Sequence, residues 1–399
     1  MVLAQRLRLD VFAAYAARFA LTLVSLVMRV LPRRHKVVLL TRQSNKPPSD
    51  FLLLRDAILR ADPTVEVRMI AHMVPPGIIR KFGYALHLLV EMYHASTARV
   101  LVVDGYSIIA SATPRSDGLA VVQLWHALGS LKKFGLSIVG RRGGRDPRLA
   151  KAMRMHAGYD IVIASADRCR APFAEAFGVD VSKVVVAPLP RVDRLRDPAH
   201  RAKVRKRFEY LYPDLVGKKV ALFAPTFRTE GKMSPVAPVE LTEAMADAGY
   251  TLITKLHPLV PVPTESGLRT APGISTQDLL LVADVFITDY SSAVFEAAVA
   301  GVPSYLIAPD LDEYAQRRDF YAKYPDDLGL PMASSVGELV EMVSDERADA
   351  EMMAVMRERF VENADGDHPT GAADELAAVV LGSRAHSPSE APGRAAARS

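Results

Sequence analysis

The chain has 399 residues, half of them hydrophobic and 24% charged, a balance that makes it globular and long enough for two domains with cores of their own. Its single cysteine, Cys169, excludes a disulfide framework and any cysteine-built metal site, and it suits a reducing, cytoplasmic compartment. The formal net charge of +5 is mild at this size; it fits an anionic substrate or an anionic lipid surface and gives no reason to expect nucleic acid.

Residues 19–28 are nearly all apolar, but Arg18 and Arg29 bracket a run too short to span a bilayer, which takes about 20 residues. Helical spacing puts Arg18, Thr22, Ser25 and Arg29 on one face and Leu21, Leu23, Val24, Leu26 and Val27 on the rest. Arg6, Arg8, Arg33, Arg34 and Lys36 flank this amphipathic helix, and no signal-peptide cleavage site follows it. Two readings fit the periodicity: an interfacial helix on an anionic membrane face, and a helix buried against its own domain.

Apolar runs then alternate with helical patterns, the mark of a parallel sheet. Strands are predicted at 36–41, 65–70, 99–103, 120–124, 161–165 and 183–186, with helices at 51–60 and 78–92 among the connections. A charged stretch with prolines at 198 and 213 follows, and the pattern restarts. Strands are predicted at 220–224, 251–256, 285–288 and 304–307, with helices at 239–248, 293–300 and 336–344. The expected fold is therefore α/β: two Rossmann-like parallel-sheet domains facing a cleft, with an N-terminal amphipathic helix. The expected divisions are a membrane-associating helix and basic flank at 1–35, an acceptor-side domain at 36–195, a linker at 196–219, a donor-binding domain at 220–382 and a disordered tail at 383–399.

Ligands in such sheets sit at the carboxyl ends of strands, and chemistry-bearing residues gather there. The predicted strand 120–124 leads into Trp125 and His126, with Lys132 and Lys133 one turn on. An imidazole there can take a proton from an attacking hydroxyl near neutral pH, or can be a packed structural histidine. In the second half, one strand ends in Thr226 and Arg228, another in Lys255 and His257. A third ends in Thr288-Asp289-Tyr290-Ser291-Ser292, at the start of a predicted helix. Hydroxyls and amide N–H groups at a helix N-terminus favour a phosphate or diphosphate, although a serine there can equally serve as a cap. Asp310, Asp312 and Glu313 offer carboxylates for a Mg²⁺ ion but lack a second carboxylate group at a matching position, and they read first as surface acidity. No P-loop and no G-x-G-x-x-G appears.

Taken together, these motifs resemble the CDP-glycerol glycerophosphotransferase family, the teichoic-acid polymerases and primases. The resemblance rests on residues 123–135, Pro225-Thr226-Phe227-Arg228, Lys255-Leu256-His257-Pro258, Thr288-Asp289-Tyr290-Ser291-Ser292 and Asp310-Leu311-Asp312-Glu313-Tyr314, in the family's order. Stretches at 41–51, Met155-His156 and Pro190-Arg191-Val192-Asp193 also match one branch. The chain departs from the family in reading Trp-His-Ala where Trp-His-Gly is usual, and Asp319 and Leu328 to Pro331 lie in two further altered motifs. The resemblance implies a GT-B architecture and no cofactor. It implies a peripheral enzyme on the cytoplasmic face of the membrane, moving glycerol phosphate or ribitol phosphate from CDP-glycerol or CDP-ribitol to a lipid-linked or polymeric acceptor. By the same carry-over His126 is the general base and His257 assists departure of CMP. Arg228, Thr226, Lys255, Asp289, Ser291, Ser292, Glu296 and Lys132 are the expected substrate contacts. A glycosyltransferase of the same architecture, using a nucleotide-sugar, is the alternative.

Overall fold

The computed structural model describes residues 2–75, 77–114, 117–141, 143–226, 235–256, 267–317, 319–361 and 371–383. Two sheets organise them. The first contains β1 (Lys36–Thr41), β2 (Glu66–Ala71), β3 (Val100–Val103), β4 (Ala120–Gln123), β5 (Ile161–Ala164) and β6 (Val184–Val186), in the order β2-β1-β3-β4-β5-β6. The second contains β7 (Lys219–Phe223), β8 (Tyr250–Thr254), β9 (Val285–Thr288), β10 (Ser304–Ile307) and β11 (Met332–Ala333), in the order β11-β10-β9-β7-β8. All pairings in both sheets are parallel. The central strands are buried along their whole length, which is why their sequences run apolar without alternation.

In the second sheet the chain leaves β7 to one side for β8 and returns to its other side for β9. The crevice between the ends of β7 and β9 is thus a topological switch point, where open α/β sheets take ligands.

The two halves meet closely. Gly129, at φ 65°, lies so near the Phe295 ring that a Cβ there would stand 2.4 Å from it. The stretch 196–219 is largely helical: Pro198–Leu211 starts with a proline in its first turn and is capped by Asp197, which accepts from Ala199 N at 2.8 Å. The last helix among the described residues, Ala372–Gly382, returns to the first half and packs on Ser49–Ala61. Its first amides, of Ala372 and Ala373, donate to the two carboxylate oxygens of Asp193 at 2.7 and 2.9 Å, a cap supplied from far along the chain.

The N-terminal helix, Val2–Met28, is longer than the apolar run at 19–28. Its Asp10–Met28 portion has mean hydropathy 1.8 and is long and apolar enough to cross a membrane by length and composition alone. The polar stripe turns inward in part: Ser25 is buried, while Arg29 stays exposed. Leu21 and Ser25 are buried against the protein, and Arg18 Nη1 donates to the Ala152 carbonyl at 2.9 Å. Phe12 (73% exposed), Phe19 (65%) and Val27 (71%) point outward, with Leu23 and Leu26 beside them.

Candidate active site in the cleft

A cavity of about 680 Å³ opens between the two sheets, lined from the first half by Trp125, His126, Lys132 and Arg191, and from the second by Thr226, Lys255, Gln277, Ser291, Ser292 and Glu296. A second cavity, of about 630 Å³, lies between Ser49–Ala61 and Pro198–Leu211; its Asp278 is already held by Arg194 at 2.6 Å and His200 at 3.0 Å. None of the strand-end turns reaches that one, so the chemistry is placed in the first.

His126 is presented by a strained turn. Trp125, just past β4, has φ 60°, a left-handed conformation that costs a non-glycine residue roughly 1 kcal/mol. Gln123 holds it there: its Oε1 accepts from Trp125 N at 2.9 Å while its Nε2 donates to the Gly105 carbonyl at 3.1 Å. The Trp125 ring stacks on Phe134 with centroids 4.6 Å apart and lies 4.0 Å from the His126 ring. His126 Nδ1 donates to the Asp104 carbonyl at 2.9 Å, which leaves the Nε2 lone pair as the acceptor. The ring is open to the water of the cleft yet deep within protein on its other sides, and this desolvation lowers its pKa below the ordinary histidine value. Neutral near pH 7 and with one nitrogen committed, it has the form a general base needs.

Across the cavity, Ser292 occupies the N-cap of Ala293–Ala300 but makes no side-chain capping bond, and Ser291 Oγ accepts from Ala293 N at 3.2 Å. The expected cap thus falls to Ser291. Asp289, expected among the substrate contacts, does not line the cavity. It is buried, and its Oδ1 accepts from Thr226 N at 2.7 Å and Tyr290 N at 2.6 Å, tying the end of β7 to the turn after β9. Tyr290 in turn stacks on Tyr314 at 3.8 Å and donates to Asp310 at 3.0 Å, so the acidic loop supports this turn from behind.

Lys255 reaches the cavity with its ammonium donating to the carbonyls of Ala271 (3.3 Å) and Ile274 (2.8 Å), and burial lowers its pKa. Lys132 Nζ lies 3.4 Å from Tyr314 Oη. Glu296 receives Arg191 Nη1 and, at 3.0 Å, Gln277 Nε2; both fall on Oε1. Arg228 and His257 lie outside the described residues. Gln123, Asp104, Arg191 and Gln277 were not among the expected site residues. Gln123 ends β4 and Asp104 follows β3, whereas Arg191 opens the helix Arg191–Arg196, and only the folded chain brings Asp50 and Glu296 to it.

The sequence profile of the CDP-Glycerol:Poly(glycerophosphate) glycerophosphotransferase family matches residues 23–372, most of the chain. The protein belongs to this family. The glycerophosphotransferase assignment makes it an enzyme, a transferase of teichoic-acid type. It is 31% identical to the teichoic acid ribitol-phosphate primase of Bacillus spizizenii, over 90% of this chain and 95% of the primase. It is 30% identical to the teichoic acid poly(ribitol-phosphate) polymerase of the same organism, over 88% of this chain, but spans only 57% of that longer protein. The solved structure of the wall teichoic acid polymerase TagF shares its GT-B-like fold, with a TM-score of 0.69 at 18% identity, covering 95% of this chain and 96% of that one.

Proposed function

We propose that the glycerophosphotransferase moves glycerol phosphate or ribitol phosphate from its CDP-activated form to a hydroxyl of a lipid-linked or polymeric acceptor, releasing CMP. The observation that carries this reading is the pairing, across one cavity, of a neutral His126, whose Nε2 has no hydrogen-bond partner among the described residues, and the Ser291-Ser292 turn at a helix N-terminus. The acceptor oxygen attacks the phosphorus next to the polyol as its proton passes to His126 Nε2. The bond from that phosphorus to the bridging oxygen breaks, and CMP carries the electron pair away. The turn's hydroxyls and amides, with Lys255 and Lys132, offset the negative charge on the diphosphate. Glu296, whose Oε2 has no hydrogen-bond partner among the described residues, accepts from a polyol hydroxyl. Arg228 and His257 complete the donor side on the strength of their motifs.

The N-terminal helix sets the enzyme on the membrane. It offers water a face of Phe12, Phe19, Leu23 and Val27 while Ser25 is buried and Arg18 is bonded to the domain; an apolar face left uncovered is the orientation an interfacial helix takes. Incubation with CDP-glycerol and CDP-ribitol in turn, with membrane acceptors, should release CMP and add one or more polyol-phosphate units to the acceptor mass. Turnover of UDP-sugars in preference to both would overturn the assignment.

A further inference from the structure

His126 stands in the wall between two cavities. The donor cavity shares Trp125, His126 and Phe134 with a second chamber of about 430 Å³, and no other lining residue. This chamber contains Gln43, Arg145 and the buried His156, but none of the serine turn. It continues, past Tyr106, Arg145 and Met155, into a smaller cavity of about 190 Å³ completed by Leu149, Ala150 and Met153. Polar groups thus lie near His126, and the far end is apolar. Tyr106 contributes its ring to this end, because its hydroxyl donates to the Met153 carbonyl at 2.8 Å.

Arg145 sits at the junction and makes no ion pair among the described residues. The helix Pro147–Ala152, which supplies Leu149 and Ala150, packs against Val2–Met28, and Arg18 of that helix is bonded to its last carbonyl. The apolar end therefore adjoins the helix that displays Phe12, Phe19 and Val27 to the outside.

We propose that these two joined cavities are the acceptor subsite, and that their occupant is a lipid phosphate. Its hydroxyl-bearing head lies in the larger chamber beside His126, its phosphate at Arg145, and its first carbons against Leu149, Met153 and Met155. The inference rests on the transfer to a lipid-linked acceptor argued above and deepens it. A base between two chambers can receive a proton from one substrate while the other is held in line on its far side. A guanidinium without a carboxylate partner suits a phosphate, and the apolar walls gain by covering lipid carbon.

The test is a binding measurement that needs no turnover. Decyl phosphate, kept below its micelle concentration, is titrated into the full chain, with heat and the emission of Trp125, the chain's one tryptophan, as readouts. Saturable binding is expected, undisturbed by saturating CDP-glycerol and at least tenfold weaker in Arg145→Ala and in Leu149→Asp; inorganic phosphate should bind at least tenfold more weakly than decyl phosphate. Arg145 is exposed, so its variant folds even where Leu149→Asp does not. Absence of saturable binding, displacement by CDP-glycerol, or wild-type affinity in Arg145→Ala would each overturn the subsite. Failure of the wild type to release CMP from CDP-polyols would sink the transferase reading instead, and this titration reports independently of it.

Discussion

Arg191 donates through Nη1 to Glu296 on the helix behind the serine turn, joining the last segment of the first half to the second. The same guanidinium holds Asp50 through Nε at 3.0 Å and through Nη2, while the Arg191 amide donates to the other Asp50 oxygen at 2.8 Å. Burial opposes the charge, but the two carboxylates outweigh it and raise the Arg191 pKa above its ordinary value. The cation therefore fixes the cleft's two walls at one point beside His126.

Removing it should be costly. Arg191→Leu leaves the buried Asp50 and the half-buried Glu296 without their counter-charge, a loss of about 3–5 kcal/mol by the usual scale for breaking a buried pair from one side. Glu296→Gln keeps a polar partner for Arg191 and should cost only about 1 kcal/mol. Denaturant midpoints at unchanged slope decide the comparison; equal stability of the two variants would contradict it.

His126→Ala should lower kcat by about 10²-fold or more, the scale for a lost general base. The pH profile adds a sharper check. Desolvation lowers the His126 pKa, so the neutral, active form already prevails at pH 7. Activity in the wild type should hold from pH 7 down past the ordinary histidine value of about 6.5 and fall only at lower pH. An acid limb in kcat/KM at or above pH 7 would show that His126 is not the base.

Much of this arrangement was legible in the sequence because buried parallel strands must be apolar throughout. The run 36–41 coincides with β1, and the polar residues after β4, β7 and β9 do face one cleft. What stayed hidden depends on distance along the chain. Asp193 as a cap for Ala372–Gly382, and Arg191 as a bridge between Asp50 and Glu296, join residues more than a hundred positions apart. Asp289 was open to a similar ambiguity: a carboxylate beside two serines at a helix N-terminus reads as a ligand contact, while in the fold it is buried and two backbone amides donate to it. The polar stripe of the N-terminal helix is plain in the periodicity, but periodicity carries no sign of which face meets the protein.

Gly129 is needed for the closeness of the two halves. Its φ of 65° strains any side chain, and a Cβ would collide with Phe295. Gly129→Ala should cost about 1–3 kcal/mol by overpacking and should depress kcat, since His126 lies three residues upstream. Phe295→Leu in the same chain should recover part of the stability lost. Thermal unfolding of the single and double variants tests this, and strict additivity of the two changes would exclude the clash.

Glu91 should impose a pH dependence on stability. It is 1% exposed; Tyr84 Oη lies 3.4 Å from its Oε1 and His87 Nε2 3.3 Å, with Arg42 also close. Burial raises its pKa to about 7, against 4.5 ordinarily, and Arg42 offsets only part of the shift. The folded state thus keeps a proton that the unfolded chain gives up. Stabilisation from this group is complete below about pH 4.5 and is lost as the pH rises through about 7, on the order of 3 kcal/mol in all. His87, whose pKa burial lowers, works in the opposite direction, so the difference between wild type and Glu91→Gln isolates the carboxyl. That difference should grow from pH 4.5 to 7; a constant offset would rule the shift out.

The proposed membrane attachment can be tested apart from folding by choosing which face of the N-terminal helix to change. Deleting residues 1–35 should release the protein from membranes, but it also removes Leu21, Ser25 and Arg18, which hold the helix to its domain. Leu23→Asp and Val27→Asp alter only exposed positions, where substitutions typically move stability by no more than about 0.5 kcal/mol. Covering a side chain of this size is worth about 1.5–3 kcal/mol, and an aspartate adds repulsion from an anionic surface. The double variant should therefore remain in the supernatant when anionic vesicles are sedimented, at an unchanged melting temperature. Wild-type protein should sediment with them, and less with zwitterionic vesicles. Co-sedimentation of the double variant at the wild-type level would refute the anchoring role of this face.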